Sequence, residues 1–235
     1  MRTLPLVLMP GLDGTDIFFQ PLLAALPDTV ERIVITHPKD GPQDYARLLA
    51  HVRERLQEVP EYCVLGWSFS GPLALQLAVA EPQKVRGVIL AASFVRPPHP
   101  WMVALAPVLA APVVWLWRAA RRLPLWLGRG RSDALRQAKN RTWREVSAGL
   151  LAARLRTIAK VDVRPQLQAC TAPMLYLLSQ TDVIVPPRAM QEILQLQPAM
   201  RVAKIPGYHQ ALYSHPEPAA RALLAFLEGL PPVRR

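Results

Sequence analysis

Short apolar runs punctuate the first ninety or so residues of the chain: residues 4–9, 31–37, 62–65 and 85–91 are each rich in Leu, Val, Ile or Tyr and bounded by Pro, Gly, Asp or Glu. Runs of this length predict strands buried on both faces rather than helices. The segments between them have helical periodicity. Residues 45–58 place Tyr45, Leu48, Leu49, Val52 and Leu56 on one face, residues 16–25 form a shorter helical pattern, and residues 71–80 form a small, apolar helix suited to burial behind the strand at 62–65. The same rhythm returns after residue 164, with strands expected at 174–178 and 201–205 and helices at 187–196 and 217–228. Strands alternating with helices predict an α/β fold: a mostly parallel sheet of about six strands with helices on both faces.

The intervening stretch, residues 96–164, has a different texture. Residues 101–117 are almost wholly apolar but are interrupted by Pro107 and Pro112, and RAARRLPLWLGRGR follows. A membrane span is rejected here, because it would be short and would strand the two halves of one sheet on opposite sides of a bilayer. The expectation is a helical, partly apolar and partly basic cap laid over a cleft, with residues 141–160 supplying at least one helix. The domain organisation is therefore one α/β core, residues 1–95 and 165–235, with the cap inserted as residues 96–164.

Composition is consistent with a single folded domain, since 51% of the 235 residues are hydrophobic and 19% charged. Cys63 and Cys170 lie in or before apolar runs without disulfide or metal spacing, so they read as buried thiols of a reducing, cytoplasmic compartment. The opening MRTLPLVLMPGLDG has a basic residue and an apolar run, but Pro5 and Pro10-Gly11 favour a first strand over a signal peptide. Charge is unevenly distributed. Residues 96–160 carry thirteen Lys or Arg against Asp133 and Glu145, which accounts for the whole net charge of +11. Two readings stand side by side, a surface for an acidic partner and a set of individually solvated arginines.

Candidate chemistry begins at YCVLGWSFSG, residues 62–71, where a buried strand runs into a turn of small residues around Ser68. This is the layout of a nucleophile elbow, in which the serine Oγ stands at the top of the sheet and the next N–H, Phe69, faces a developing oxyanion. A serine needs a base to take its proton and a carboxylate to orient that base, both following it in the chain at the ends of late strands. Asp182 lies in SQTDVIVP just beyond the strand at 174–178, and His209 lies in PGYHQ just beyond that at 201–205. His215 at the start of the last helix reads as a cap or surface group; His37, His51 and His99 lie where no base is needed; Asp162 leaves the cap; Ser70 packs against or caps the helix after the elbow. The second oxyanion donor is expected in the loop after the first strand, at the N–H of Leu12 between Gly11 and Gly14. There Asp13 is a puzzle, since its carboxylate would oppose a forming oxyanion unless it is turned away or paired.

On LGWSFSG, VDVRPQLQACTAPMLYLLSQTDVIVP and GYHQALYSHP, the chain resembles an α/β-hydrolase over nearly its whole length, and is most similar to capped carboxylesterases such as the pimeloyl-acyl carrier protein methyl ester esterases. The resemblance departs in having Pro10-Gly11 for the usual His-Gly, Ser70 for the last elbow glycine, and no leading hairpin. It implies Ser68, Asp182 and His209 as catalytic residues, Leu12 and Phe69 as backbone oxyanion donors, and Trp67 beside the acyl pocket. The expected activity is ester hydrolysis through an acyl-enzyme, with no metal or other cofactor. In the cap, Trp115 and Trp117 are candidates for lining an acyl channel, and Arg136, Arg141, Arg144, Arg154 and Arg156 for a basic docking surface. The partners that fit are a free or carrier-tethered acyl ester, an acyl carrier protein, or an anionic membrane surface holding the protein peripherally. Nucleic acid ranks last, because no binding module accompanies the charge. A general carboxylesterase or lipase-like enzyme at anionic membranes, and a non-catalytic ligand-binding member of the fold, are the alternatives.

Overall fold

The computed structural model describes residues 4–104, 112 and 133–231. Six strands form one sheet in the order β2-β1-β3-β4-β5-β6. They are β1 (Leu6–Met9), β2 (Arg32–Val34), β3 (Tyr62–Trp67), β4 (Val85–Ala91), β5 (Met174–Ser179) and β6 (Arg201–Ile205). Every pairing is parallel, with Leu8 opposite both Val34 and Leu65, and Ala91 opposite Leu177. All the carboxyl ends therefore open onto one edge, and the loops after β1, β3, β5 and β6 meet there.

Side chains alternate across the sheet, as strand geometry requires. Val7, Met9, Val64 and Val88 enter the core on one face, with helices α2 (Tyr45–Arg55), α3 (Gly71–Ala80), α7 (Arg164–Ala169) and α8 (Pro187–Leu196). Leu6, Leu8, Cys63, Leu65 and Ile89 enter the core on the other, with α1 (Gln20–Ala25), α9 (Ala211–Ser214) and α10 (Pro216–Glu228). The largely apolar α3 is explained by its place, since every position but Gln76, Val79 and Ala80 is buried between the sheet and its neighbours.

Boundaries move where local chemistry overrides the hydrophobic pattern. The edge strand β2 has only three residues instead of the expected 31–37, and α2 stops at Arg55 as the chain turns toward Pro60. Strand β3 runs on through Gly66 and Trp67, which pair with Leu90 and Ala91. The helical segment 16–25 opens as a 3-10 turn at Ile17–Phe19 before α1.

Between β4 and β5 come α4 (Pro100–Ala104), α5 (Asp133–Glu145) and α6 (Ala148–Ala159). The segment 141–160, expected to supply at least one helix, holds the end of α5 and the whole of α6, separated at Val146-Ser147. The Ser147 side chain caps α6 by accepting from the Leu150 N–H at 3.1 Å. Among the described residues, no helix is long and apolar enough to cross a membrane.

Candidate active site

Ser68 is the first residue after β3 and has φ 52°, a left-handed conformation that costs a residue with a side chain roughly 1–3 kcal/mol. Its neighbours hold it there. A Cβ on Gly66 would lie 2.3 Å from the Ser70 carbonyl oxygen, and one on Gly71 would lie 1.8 Å from Ser93 Oγ, so both positions of the turn demand glycine. Ser93 follows Ala92, itself at φ 45°, and donates from Oγ to the Ser68 carbonyl at 2.7 Å. Tyr176 of β5 in turn fixes Ser93, donating to its carbonyl at 2.7 Å and accepting its N–H at 3.0 Å. On the far side, the Tyr45 ring stacks on Phe69 and its hydroxyl donates to the Phe69 carbonyl at 2.8 Å.

The loops after β5 and β6 bring the other two residues to this serine. Asp182 Oδ1 accepts the N–H groups of Ile184 and Val185, at 2.8 and 3.0 Å, which turns Oδ2 toward His209 Nδ1 at 2.7 Å. A carboxylate only accepts, so the imidazole proton belongs on Nδ1 and the Nε2 lone pair faces Ser68 Oγ at 2.9 Å. All three residues are buried. Trp67 Nε1 donates to the His209 carbonyl at 3.3 Å, and its ring packs against Phe18, Phe19 and the imidazole itself. The structure thus places Trp67 behind the histidine, only 3% exposed.

Leu12 lies in the loop after β1, half-buried, and Phe69 follows the serine. Asp13 is turned onto Thr15, whose N–H donates to Oδ2 at 3.0 Å and whose hydroxyl donates to the same oxygen. Burial raises its pKa, opposed by those hydrogen bonds and by the charge of Arg154. Arg154 itself is a correction to the sequence reading. Expected on a partner-facing surface, it is 1% exposed, with Nε donating to Gln43 Oε1 at 2.9 Å and the two terminal nitrogens donating to the carbonyls of Leu12, Asp13 and Pro38. Of the other candidate docking arginines between β4 and β5, Arg136 pairs with Asp133 and Arg141 with Glu145, and Arg144 and Arg156 are exposed to solvent. Trp115 and Trp117 lie outside the described residues.

Of the two roles expected for Ser70, packing and capping, the structure shows the first: it is fully buried at the N-cap of α3 and makes no side-chain cap there. Its hydroxyl instead donates to the Pro10 carbonyl, and His37 Nε2 lies 2.9 Å from the same oxygen. Sequence reasoning missed His37, Tyr45, Ser93, Tyr176 and the buried role of Arg154. Each acts on a residue far away in the chain, and no local pattern marks it. His215, at the start of α10, bonds Ser214 Oγ, and Asp162 pairs with Arg164, so neither joins the site.

The sequence model of the family described as Serine aminopeptidase, S33, a hydrolase family, matches residues 29–213. The chain belongs to this serine hydrolase family. Among curated proteins, this α/β-hydrolase is 30% identical over 217 residues to the pimeloyl-[acyl-carrier protein] methyl ester esterase of Edwardsiella ictaluri, covering 81% of the present chain and 78% of the relative. It is 28% identical to the biotin biosynthesis bifunctional protein BioHC of Cellvibrio japonicus, covering 96% of its own length and 48% of that longer protein. Among solved structures, a hydrolase from Pseudomonas aeruginosa shares the fold with a TM-score of 0.78 at 22% identity, over 96% of this chain and 90% of that one. The protein is an ester hydrolase of the serine type with the α/β-hydrolase fold.

Proposed function

We propose that the enzyme cleaves a carboxylic ester through an acyl-enzyme, with Ser68 as nucleophile, His209 as general base and then acid, and Asp182 orienting the imidazole. The observation that carries this reading is the continuous hydrogen-bonded chain from Asp182 through His209 to Ser68 Oγ. As Ser68 attacks the ester carbonyl, its proton passes to Nε2, and the imidazolium is stabilised by the carboxylate that already holds Nδ1. The N–H groups of Leu12 and Phe69 receive the tetrahedral oxygen. The proton then goes from Nε2 to the departing alkoxide, which leaves as the alcohol. Water, deprotonated by the same nitrogen, attacks the acyl-enzyme; the bond to Ser68 Oγ breaks, Nε2 returns its proton to that oxygen, and the acid is released. Ser68→Ala is expected to lower kcat on a p-nitrophenyl acyl ester by at least about 10⁴-fold. Substantial residual turnover would reject Ser68 as nucleophile.

For the substrate, we infer an acyl ester tethered to an acidic carrier, such as the pimeloyl-carrier methyl ester named for its relatives. Support comes from that similarity together with the net charge of the segment between β4 and β5, which includes the exposed Arg144 and Arg156. A panel of methyl and p-nitrophenyl esters, free and carrier-bound and varied in acyl length, tests it. A higher kcat/KM for free short esters than for the carrier-bound methyl ester would favour a general carboxylesterase instead.

A further inference from the structure

The loop after β1 is held by an unusual density of bonds. Five consecutive carbonyls, residues 10–14, each accept a hydrogen bond: Pro10 from Ser70 Oγ, Gly11 from the Gly14 N–H, Leu12 and Asp13 from Arg154, and Gly14 from the His37 N–H. Four of these five acceptors are served from beyond the loop, and two of those by a single side chain on α6, a helix of the segment between β4 and β5. One nitrogen of that guanidinium reaches Leu12 O at 2.9 Å and Asp13 O at 2.7 Å.

We propose that Arg154 is a positioning residue that sets the oxyanion loop, so that turnover depends on how α6 is seated on the hydrolase core. The inference rests on reading the Leu12 N–H as an oxyanion donor. With the Leu12 and Asp13 carbonyls fixed on one side and the Pro10 and Gly11 carbonyls on the other, the Gly11–Leu12 peptide has little freedom to turn its N–H away. Preorganised donors are effective because they need no reorientation as charge develops.

Several features of the surroundings fit this role. Gly14 has φ 71°, and a Cβ there would lie 2.5 Å from the Arg154 guanidinium, so the loop is shaped to admit this side chain. Its charge is offset by the neighbouring Asp13 carboxylate, and desolvation lowers its pKa only to about 10, so it remains protonated at neutral pH. The planar fork serves four acceptors on three stretches of chain, Leu12 to Asp13, Pro38 and Gln43, which a lysine ammonium cannot span. Thr157, one turn further along α6, adds a bond from Oγ1 to the Gln43 carbonyl at 3.0 Å and fixes the helix in the same place.

The test compares the parent enzyme with R154K and R154M on p-nitrophenyl butyrate, and measures inhibition by a trifluoromethyl ketone that forms a tetrahedral adduct with the serine. Positioning predicts kcat lower by about tenfold in R154K and about 10²-fold in R154M, KM changed by less than about threefold, and inhibitor affinity weakened in parallel with kcat/KM. If R154M does not fold, R154K decides alone, since it keeps the charge and loses the fork. An unchanged kcat in R154K, or a loss confined to KM, overturns the inference. Failure of the underlying reading shows separately: in the parent enzyme, a trifluoromethyl ketone binding no more tightly than its methyl ketone analogue would remove the oxyanion assignment itself.

Discussion

His37 shows how a single buried side chain links the site to the stability of the fold. Its Nε2 lies 2.9 Å from Ser70 Oγ, whose own proton goes to the Pro10 carbonyl, so the imidazole donates from Nε2 and leaves Nδ1 unprotonated and without a partner. Burial, with a smaller contribution from the charge of Arg154, lowers its pKa to about 3, against about 6.5 for an unfolded histidine. Between those values the unfolded chain binds a proton that the folded chain refuses. The stability that neutral His37 contributes is therefore present above about pH 6.5 and is lost as pH falls toward about 3, with a slope of at most about 1.4 kcal/mol per pH unit. Asp13 acts in the opposite sense, since its raised pKa lets the folded state take up a proton first as pH falls. His37→Gln, compared with the parent by urea unfolding, is expected to show a shallower loss of stability between about pH 6 and pH 4. Parallel slopes would mean that His37 is not held neutral.

At the scale of elements, the elbow between β3 and α3 is where strain and packing meet. Gly66→Ala would push a methyl group against the Ser70 carbonyl, a backbone group that cannot move without displacing both the turn and the Ser70 bond to Pro10. The expected result is a loss of at least about 2 kcal/mol in stability together with a lower kcat, measured by urea unfolding and ester turnover on the same preparation. Normal kcat in a stable G66A protein would show that the turn tolerates a side chain there. Strand-turn-helix order, and with it the placement of Ser68, Asp182 and His209, was legible because buried parallel strands are written as short apolar runs and these three residues follow such runs directly. The ends of elements were less so: β2 is an edge strand whose length depends on pairing with β1, and the break at Val146-Ser147 depends on a cap that a helical run of residues conceals. What supports the hydrogen-bonded chain of Asp182, His209 and Ser68 was not legible at all. Ser70 acts on Pro10, 60 residues away, and Arg154 on Leu12, 142 residues away, so their roles exist only once the sheet has brought those loops together.

At the scale of the whole molecule, the burial and pairing of individual arginines alter what the net charge of +11 means. Arg154 spends its charge inside the protein beside Asp13, and Arg136 and Arg141 face Asp133 and Glu145 at 2.6 and 2.9 Å, so these three present less field to a partner than the sequence suggests. Exposed Arg144 is better placed to act at long range, and steering of this kind is screened by salt because the Debye length shrinks from about 14 Å at 0.05 M to about 4 Å at 0.5 M. If the substrate arrives on an acidic carrier, kcat/KM for the carrier-bound methyl ester should fall by at least about tenfold over that range, while kcat/KM for p-nitrophenyl butyrate changes by less than about twofold. Arg144→Glu should lower the carrier-bound rate by about threefold at low salt and have little effect at high salt, because it alters encounter and leaves the site untouched. An equal salt response for both substrates would remove the acidic carrier from the proposal and leave the proposed role of Ser68 standing.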